Sequence, residues 1–513
     1  MDKKTVLAIV LSSIVLLGWQ YFFPVPKPHN NIDNVSVADN NSNNSQQVST
    51  NTNLNDIDTT SDDKINAKIV NVETDFLSLH FNQNTGNIRS ASILNWKDDD
   101  GEEVTFNKNI KQDYLKINTG IDNFFTHYNV ETSDITNGKS ITFFAESDSY
   151  TVRKSYDLHN DSYIVNTTVE IINKTSAPLS IPLSAIIGPN LGDGFEDTSS
   201  YDVFEGALIS DGSNTEKVKM GKDDSESIPS VKWIAYTSKY FLLAVLNNDV
   251  FSNASIMPKD DSPIAKAEGS YIIKPNESVS KSFDLYIGPK YYQELKSVGS
   301  NLQKSMDFGW FYFISIPMLY TLNYLYDVFH NYGIAIIILT IIIKLLTLPL
   351  TMKSMVSMRA MSALQPQMAD LRERYKNDPA KLNQAVMNLY KEHGVNPLSG
   401  CLPLILQIPI FFALYKALLL SLELKGAEFF GWIVDLSAKD PYYITPILMG
   451  VTMFIQQKMT PTTADPVQQK IFMAMPIILT FLFINFPAGL VIYWLTNNIL
   501  SIIQQYVINK RNL

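Results

Sequence analysis

Lys344 is a single cation inside GIAIIILTIIIKLLTLPLT (residues 333–351), a run that otherwise has the length and apolarity of a membrane-spanning helix. A charge at membrane depth costs several kcal/mol unless it faces water or a partner, which makes Lys344 a candidate site for attracting acidic or polar groups. Thr340, Lys344, Thr347 and Thr351 recur at i, i+4, i+7 and i+11, so all four fall on one helical face. Snorkelling accounts for the same lysine: it lies about 10 Å of helix rise from the cytoplasmic end, within reach of its own stem. On this helix alone both readings stand.

Other polar residues interrupt apolar runs further along: Gln407, Asn485, Thr496, Asn497 and Asn498. They could line a water-filled groove, or they could simply join helices by hydrogen bonds. Met352, Met355, Met358, Met361, Met368 and Met387 suit a surface that accepts many apolar partners, and equally suit ordinary helix packing. The chain carries no P-loop, GxGxxG, HExxH, GxSxG or CxxC, so no nucleotide, metal, other cofactor or covalent nucleophile is expected. His80, His127 and His159 are scattered through β-rich sequence and read as structural.

The elements that must position Lys344 follow from an uneven composition. Of 513 residues, those from Ser305 onward hold 15 Lys and Arg against 11 Asp and Glu. The preceding part is strongly acidic and gives the chain its net charge of −10, which argues against a nucleic-acid partner. The single cysteine, Cys401, excludes an intrachain disulfide. Residues 1–24 read as an uncleaved signal-anchor span, since the apolar run ends in Trp19, Tyr21, Phe22 and Phe23 without a small-residue cleavage site. Residues 25–64, rich in Asn, Ser, Asp and Thr, read as a disordered tether.

Residues 65–304 alternate short β-rich runs with turn signals, as in DFLSLHF–NQNTGN and SYIVNTTVEII–NKTSAP, and predict a β-sandwich. Residues 305–332 are crowded with aromatics and lack Lys and Arg. They predict an amphipathic helix in the outer interface, interrupted at Pro317, with Asn323, Asp327 and Asn331 on one face; a fully inserted span is the alternative. Residues 333–351 form the second span and 352–397 a cytoplasmic helical hairpin, with Asp378-Pro379 starting its second helix. Spans at 398–421, 442–457, 471–486 and 490–507 follow, separated by a loop at 422–441 and a cytoplasmic loop at 458–470, with a tail at 508–513. The positive-inside rule then gives six spans with both termini cytoplasmic. The last three hold only about 14–15 strongly apolar residues each, short of the ~20 that cross a typical bilayer, so local thinning is expected.

The membrane half resembles the YidC membrane-protein insertase family, in its Gram-negative form with a large periplasmic domain. The residues that carry the resemblance are NPLSGCLPLILQIPIFFALYKAL (396–418), DLSAKDPYYITPILMGVTMFIQQKMTP (435–461), DPVQQKIFMAMP (465–476) and FPAGLVIYWLTNNILSIIQQ (486–505), together with the hairpin ALQPQMADLRERYKNDPAKLNQAVMNLYKEHGVNP. The resemblance implies a non-enzymatic insertase and chaperone of the inner membrane with a five-helix core, working alone or with the Sec translocon. It implies nascent membrane proteins as clients and ribosomes or targeting factors at the hairpin and tail.

The family's hydrophilic groove opens to cytoplasm and lipid, with clients sliding along spans three and five. Its cation falls on Lys344, where the family usually has arginine; lysine keeps the charge and loses the planar fork. Thr340 matches a groove-lining threonine. Gln407, Ile408 and Phe411 match groove or substrate-contact positions, and Trp494 an aromatic position in span six. A membrane transporter or channel would also use an intramembrane cation, but inverted repeats are not apparent. A membrane-tethered carbohydrate-binding or mutarotase-like enzyme would rest on the β-sandwich alone.

Overall fold

A computed structural model describes residues 68–98, 101–108, 112–189, 203–219, 224–259, 262–396, 402–460 and 466–510. The expected signal anchor and tether lie outside the described residues, as do 397–401, 461–465 and 511–513. The chain divides into two compact units, Met1–Gly288 and Pro289–Leu513.

The first unit is a β-sandwich of two nine-stranded antiparallel sheets. Period-2 patterning sets the inner faces. In Gly138–Glu146, Ile141, Phe143 and Ala145 are buried, and this strand pairs in register with Tyr150–His159. The strands Gly206–Ser210, Trp233–Thr237 and Phe241–Leu246 are buried at every position, as apolar strands covered on both faces should be. Phe81 of one sheet packs on Tyr156 and Phe143 of the other, with ring centroids 4.8 and 5.2 Å apart.

Alternation also turns Lys154 inward, where it is 1 % exposed. Its ammonium donates to the carbonyls of Thr85 (2.9 Å) and Ile117 (2.7 Å) on the opposite sheet and pairs with Asp122 at 2.9 Å. Burial pushes the Asp122 carboxyl up, but Lys154, the Thr119 N–H and the Tyr128 hydroxyl outweigh it and hold the group below its ordinary value of 3.8. His80 bonds to Ser90, His127 to Thr126 and His159 to Asn166, so each histidine has a local polar partner.

The second unit is helical. Its helices are α1 (Tyr292–Val298), α2 (Tyr312–Phe329), α3 (Tyr332–Ala363), α4 (Gln365–Arg374), α5 (Pro379–Glu392), α6 (Leu402–Leu420), α7 (Ile444–Met459), α8 (Pro466–Phe483) and α9 (Ala488–Lys510). α9 packs on α7 and α3, α2 on α3 and α6, and α8 on α7. Among the described residues, α3 alone is long and apolar enough, by length and composition, to cross a membrane; Ile405–Leu420 and Phe472–Phe483 are shorter apolar helices.

Three local expectations are corrected. Pro317 does not interrupt α2, which runs through it. Packing carries the helix across the missing N–H, with Ser315 buried and its Oγ near the carbonyls of Phe311 (3.1 Å) and Ala413 (2.9 Å). Asn331 does not share a face with Asn323 and Asp327: His330 ends α2 in the left-handed conformation, and Asn331 caps α3 by accepting from the Ile334 N–H at 3.0 Å. Finally, α3 continues to Ala363 instead of ending near residue 351, because apolarity stops there while good helix formers do not.

Beyond α3, α4 and α5 form a hairpin around Met361, Leu364, Met368, Leu389 and Tyr390. Asp378 caps α5 by accepting from the Lys381 N–H at 3.1 Å. The methionines divide: Met355, Met361 and Met368 are buried, whereas Met387 is exposed.

Candidate functional site

The site forms where the polar face of α3 meets α9. Lys344 Nζ donates to Ser501 Oγ at 2.7 Å and lies 3.5 Å from Asn497 Oδ1. One turn further along, Gln504 Nε2 donates to Thr351 Oγ1 at 2.9 Å. Asn497, Ser501 and Gln504 recur at i, i+4 and i+7, so α9 supplies one polar stripe opposite Lys344 and Thr351. Among the described residues no carboxylate comes within ion-pair distance of Lys344. Among the described residues the ammonium is therefore held by neutral oxygens. Beside it on α3, Leu345 and Leu346 are exposed apolar side chains.

The remaining expected site residues fall into separate places. Thr340 is 1 % exposed, and its hydroxyl donates to the Ile336 carbonyl of its own helix at 2.6 Å. The Thr347 hydroxyl likewise turns onto the carbonyls of Ile343 (3.0 Å) and Lys344 (3.2 Å). Gln407 on α6 donates to the Tyr493 hydroxyl at 2.6 Å, which ties α6 to α9. Phe411 and Trp494 meet edge to face at 5.0 Å, and Phe483 of α8 joins them at 6.1 and 5.2 Å. Ile408 is exposed on α6, three residues before Phe411.

Ser501, Gln504 and Tyr493 escaped the sequence reading. The spacing of Asn497, Ser501 and Gln504 would have found two of them. Asn498 follows the simpler reading: its Nδ2 reaches the Met449 carbonyl (3.4 Å) and Thr452 Oγ1 (3.3 Å) and joins α9 to α7.

The loop before α7 is fixed by Asp440. Its carboxylate accepts from the Trp432 indole (3.0 Å), the Tyr442 N–H (3.0 Å) and the Thr445 N–H and hydroxyl (2.7 Å each). Burial pushes this carboxyl up, and those four donors more than offset it, holding it low. Glu423, reached by the Asn323 amide at 3.3 Å, is raised by burial, and the hydrogen bonds it receives do not cancel the effect.

Residues 324–513 match the family model described as 60Kd inner membrane protein, and residues 69–321 match that of the YidC periplasmic domain. The chain is similar to the membrane protein insertase YidC of Geotalea uraniireducens, with 38% identity over 528 residues covering 99% of both chains. It is 39% identical over 536 residues to the membrane protein insertase YidC of Geotalea daltonii, again covering 99% of each. A crystal structure of an active YidC insertase with its first transmembrane domain resolved is 20% identical, covers 86% of this chain and 92% of that one, and superimposes with a TM-score of 0.38. Near-full-length identity of this order, with both family models matched in sequence, makes the chain a member of the YidC family of membrane protein insertases, with a β-sandwich periplasmic domain and a helical membrane region.

Proposed function

We propose that this protein inserts membrane proteins into the inner membrane and assists their folding, and that Lys344 is the charge that draws a client's polar segment into the bilayer. The observation that carries the reading is the Lys344 ammonium, held within an otherwise apolar stretch by Ser501 and Asn497, with no carboxylate among the described residues at ion-pair distance. In a low-dielectric setting one such charge acts several-fold more strongly than in water. An acidic or polar client segment gains there what it loses on leaving bulk water. Thr351, Asn497 and Gln504 continue a polar stripe along the same path. Gln407, Phe411 and Trp494 make the adjoining wall, with Ile408 and the exposed face of α8, including Ile477 and Phe481, offered to a client's apolar helix.

In this reading α3, α6, α7, α8 and α9 are the five core spans, the β-sandwich of residues 65–304 stands in the periplasm, and the termini and hairpin are cytoplasmic. The exposed aromatics of α2, among them Tyr312, Phe313 and Tyr324, suit a helix in the outer interface. The basic residues of α4, Arg372 and Arg374, suit ribosomes or targeting factors, and the Sec translocon is a further partner. No chemical step is assigned to the β-sandwich. Photo-crosslinkers at positions 345, beside the intact Lys344, and 411 are expected to capture ribosome-bound nascent membrane proteins and to spare soluble nascent chains. Equal labelling of both would contradict the proposal.

A further inference from the structure

We infer that Ser501 is a positioning residue, which fixes the Lys344 ammonium against α9 and so sets where its charge is offered to a client; the inference rests on the insertase reading above. Ser501 has one hydroxyl proton, and it is committed to the Asn497 carbonyl one turn back, at 2.7 Å. The Oγ lone pairs are left to accept, and Lys344 Nζ lies 2.7 Å away. The polarity of the contact is therefore set before any client arrives. Ser501 is 3 % exposed, so water competes poorly for this bond.

Lysine at this position needs such an anchor more than arginine would. Its ammonium is a point charge on a flexible four-carbon stem, whereas a guanidinium fork is pre-organised. Released from Ser501, the stem can swing across exposed Leu345 and Leu346 and carry the charge toward the interface. With Ser501 in place one N–H is occupied and Asn497 Oδ1 lies at the limit of hydrogen bonding at 3.5 Å, so among the described residues a further donor is left for a client carboxylate.

The test is a double-mutant cycle on the full chain in proteoliposomes, with single-span clients whose translocated tails are acidic or uncharged. Ser501→Ala should slow the acidic client by about five- to tenfold, less than the roughly ten- to hundredfold that one hydrogen bond to a charged group can carry, because Asn497 Oδ1 stays within reach of the ammonium. It should leave the uncharged client unchanged, and Ser501→Thr should restore the acidic one. In a Lys344→Ala background Ser501→Ala should add nothing, because both act through one charge. Three results would overturn the inference while leaving the insertase reading intact: Ser501→Ala without effect where Lys344→Ala slows the acidic client, equal slowing of both clients, or additive losses in the double variant. Normal insertion by Lys344→Ala itself would remove both the charge reading and this inference.

Discussion

Thr480 on α8 stands directly against Gly450 on α7, so that a Cβ at position 450 would fall on the Thr480 hydroxyl. That hydroxyl is already turned back to the Pro476 carbonyl at 2.7 Å. Small residues let helices approach where lipid supplies no hydrophobic drive, and packing must then do the joining. Gly450→Val should force α7 and α8 apart and destabilise the folded protein by about 1–3 kcal/mol, the usual range for overpacking. Thermal unfolding in detergent measures this, and adding Thr480→Ala should recover part of the loss. An unchanged melting temperature in Gly450→Val would mean that this contact does not hold the pair.

The β-sandwich carries a pH-dependent ion pair. Asp122 has its carboxyl lowered in the folded state, so its contribution is complete above the unfolded value of about 4 and is lost as pH falls through the lower folded value. Asp122→Asn leaves the buried Lys154 without a counter-charge here, with the carbonyls of Thr85 and Ile117 and the Tyr128 ring still beside it. It should cost about 3 kcal/mol at pH 7, the low end for breaking a buried pair, because those two bonds remain. The difference from the parent should shrink below pH 4. Denaturant unfolding followed by near-ultraviolet circular dichroism across pH 2–7 checks both, and a gap constant with pH would contradict the assignment.

Removal of residues 68–288 should leave insertion largely intact. That stretch forms a compact unit of its own, and the polar site lies wholly within Pro289–Leu513. Cells depleted of the parent and supplied with the shortened chain report the outcome. Stable accumulation of the shortened protein without insertion would show that the β domain takes part in the reaction.

The sequence made the β-sandwich and the helical hairpin legible because their signals are local: alternation in Gly138–Glu146, and the Asp378-Pro379 cap before α5. Lys344 was legible as an isolated charge in an apolar run. Its partner was not, because Ser501 lies 157 residues away and nothing in a single helix says which face of another it will meet. Asn331 misled for a related reason: its helical spacing with Asn323 and Asp327 is genuine, but the left-handed turn at His330 breaks the helix between them. The end of α3 was misplaced because hydropathy marks where a segment leaves lipid, whereas capping and packing decide where a helix stops.

The charge at position 344 is tested most directly by insertion kinetics of a client with an acidic translocated tail, measured in proteoliposomes for the parent, Lys344→Arg, Lys344→Ala and Lys344→Glu. Lys344→Arg should retain insertion, since it keeps the cation and brings its own donor fork. Lys344→Ala should insert this client about tenfold or more slowly, and Lys344→Glu more slowly still, as repulsion replaces attraction in a low-dielectric path. A well-folded Lys344→Ala protein that inserts the acidic client at the parent rate would contradict the account.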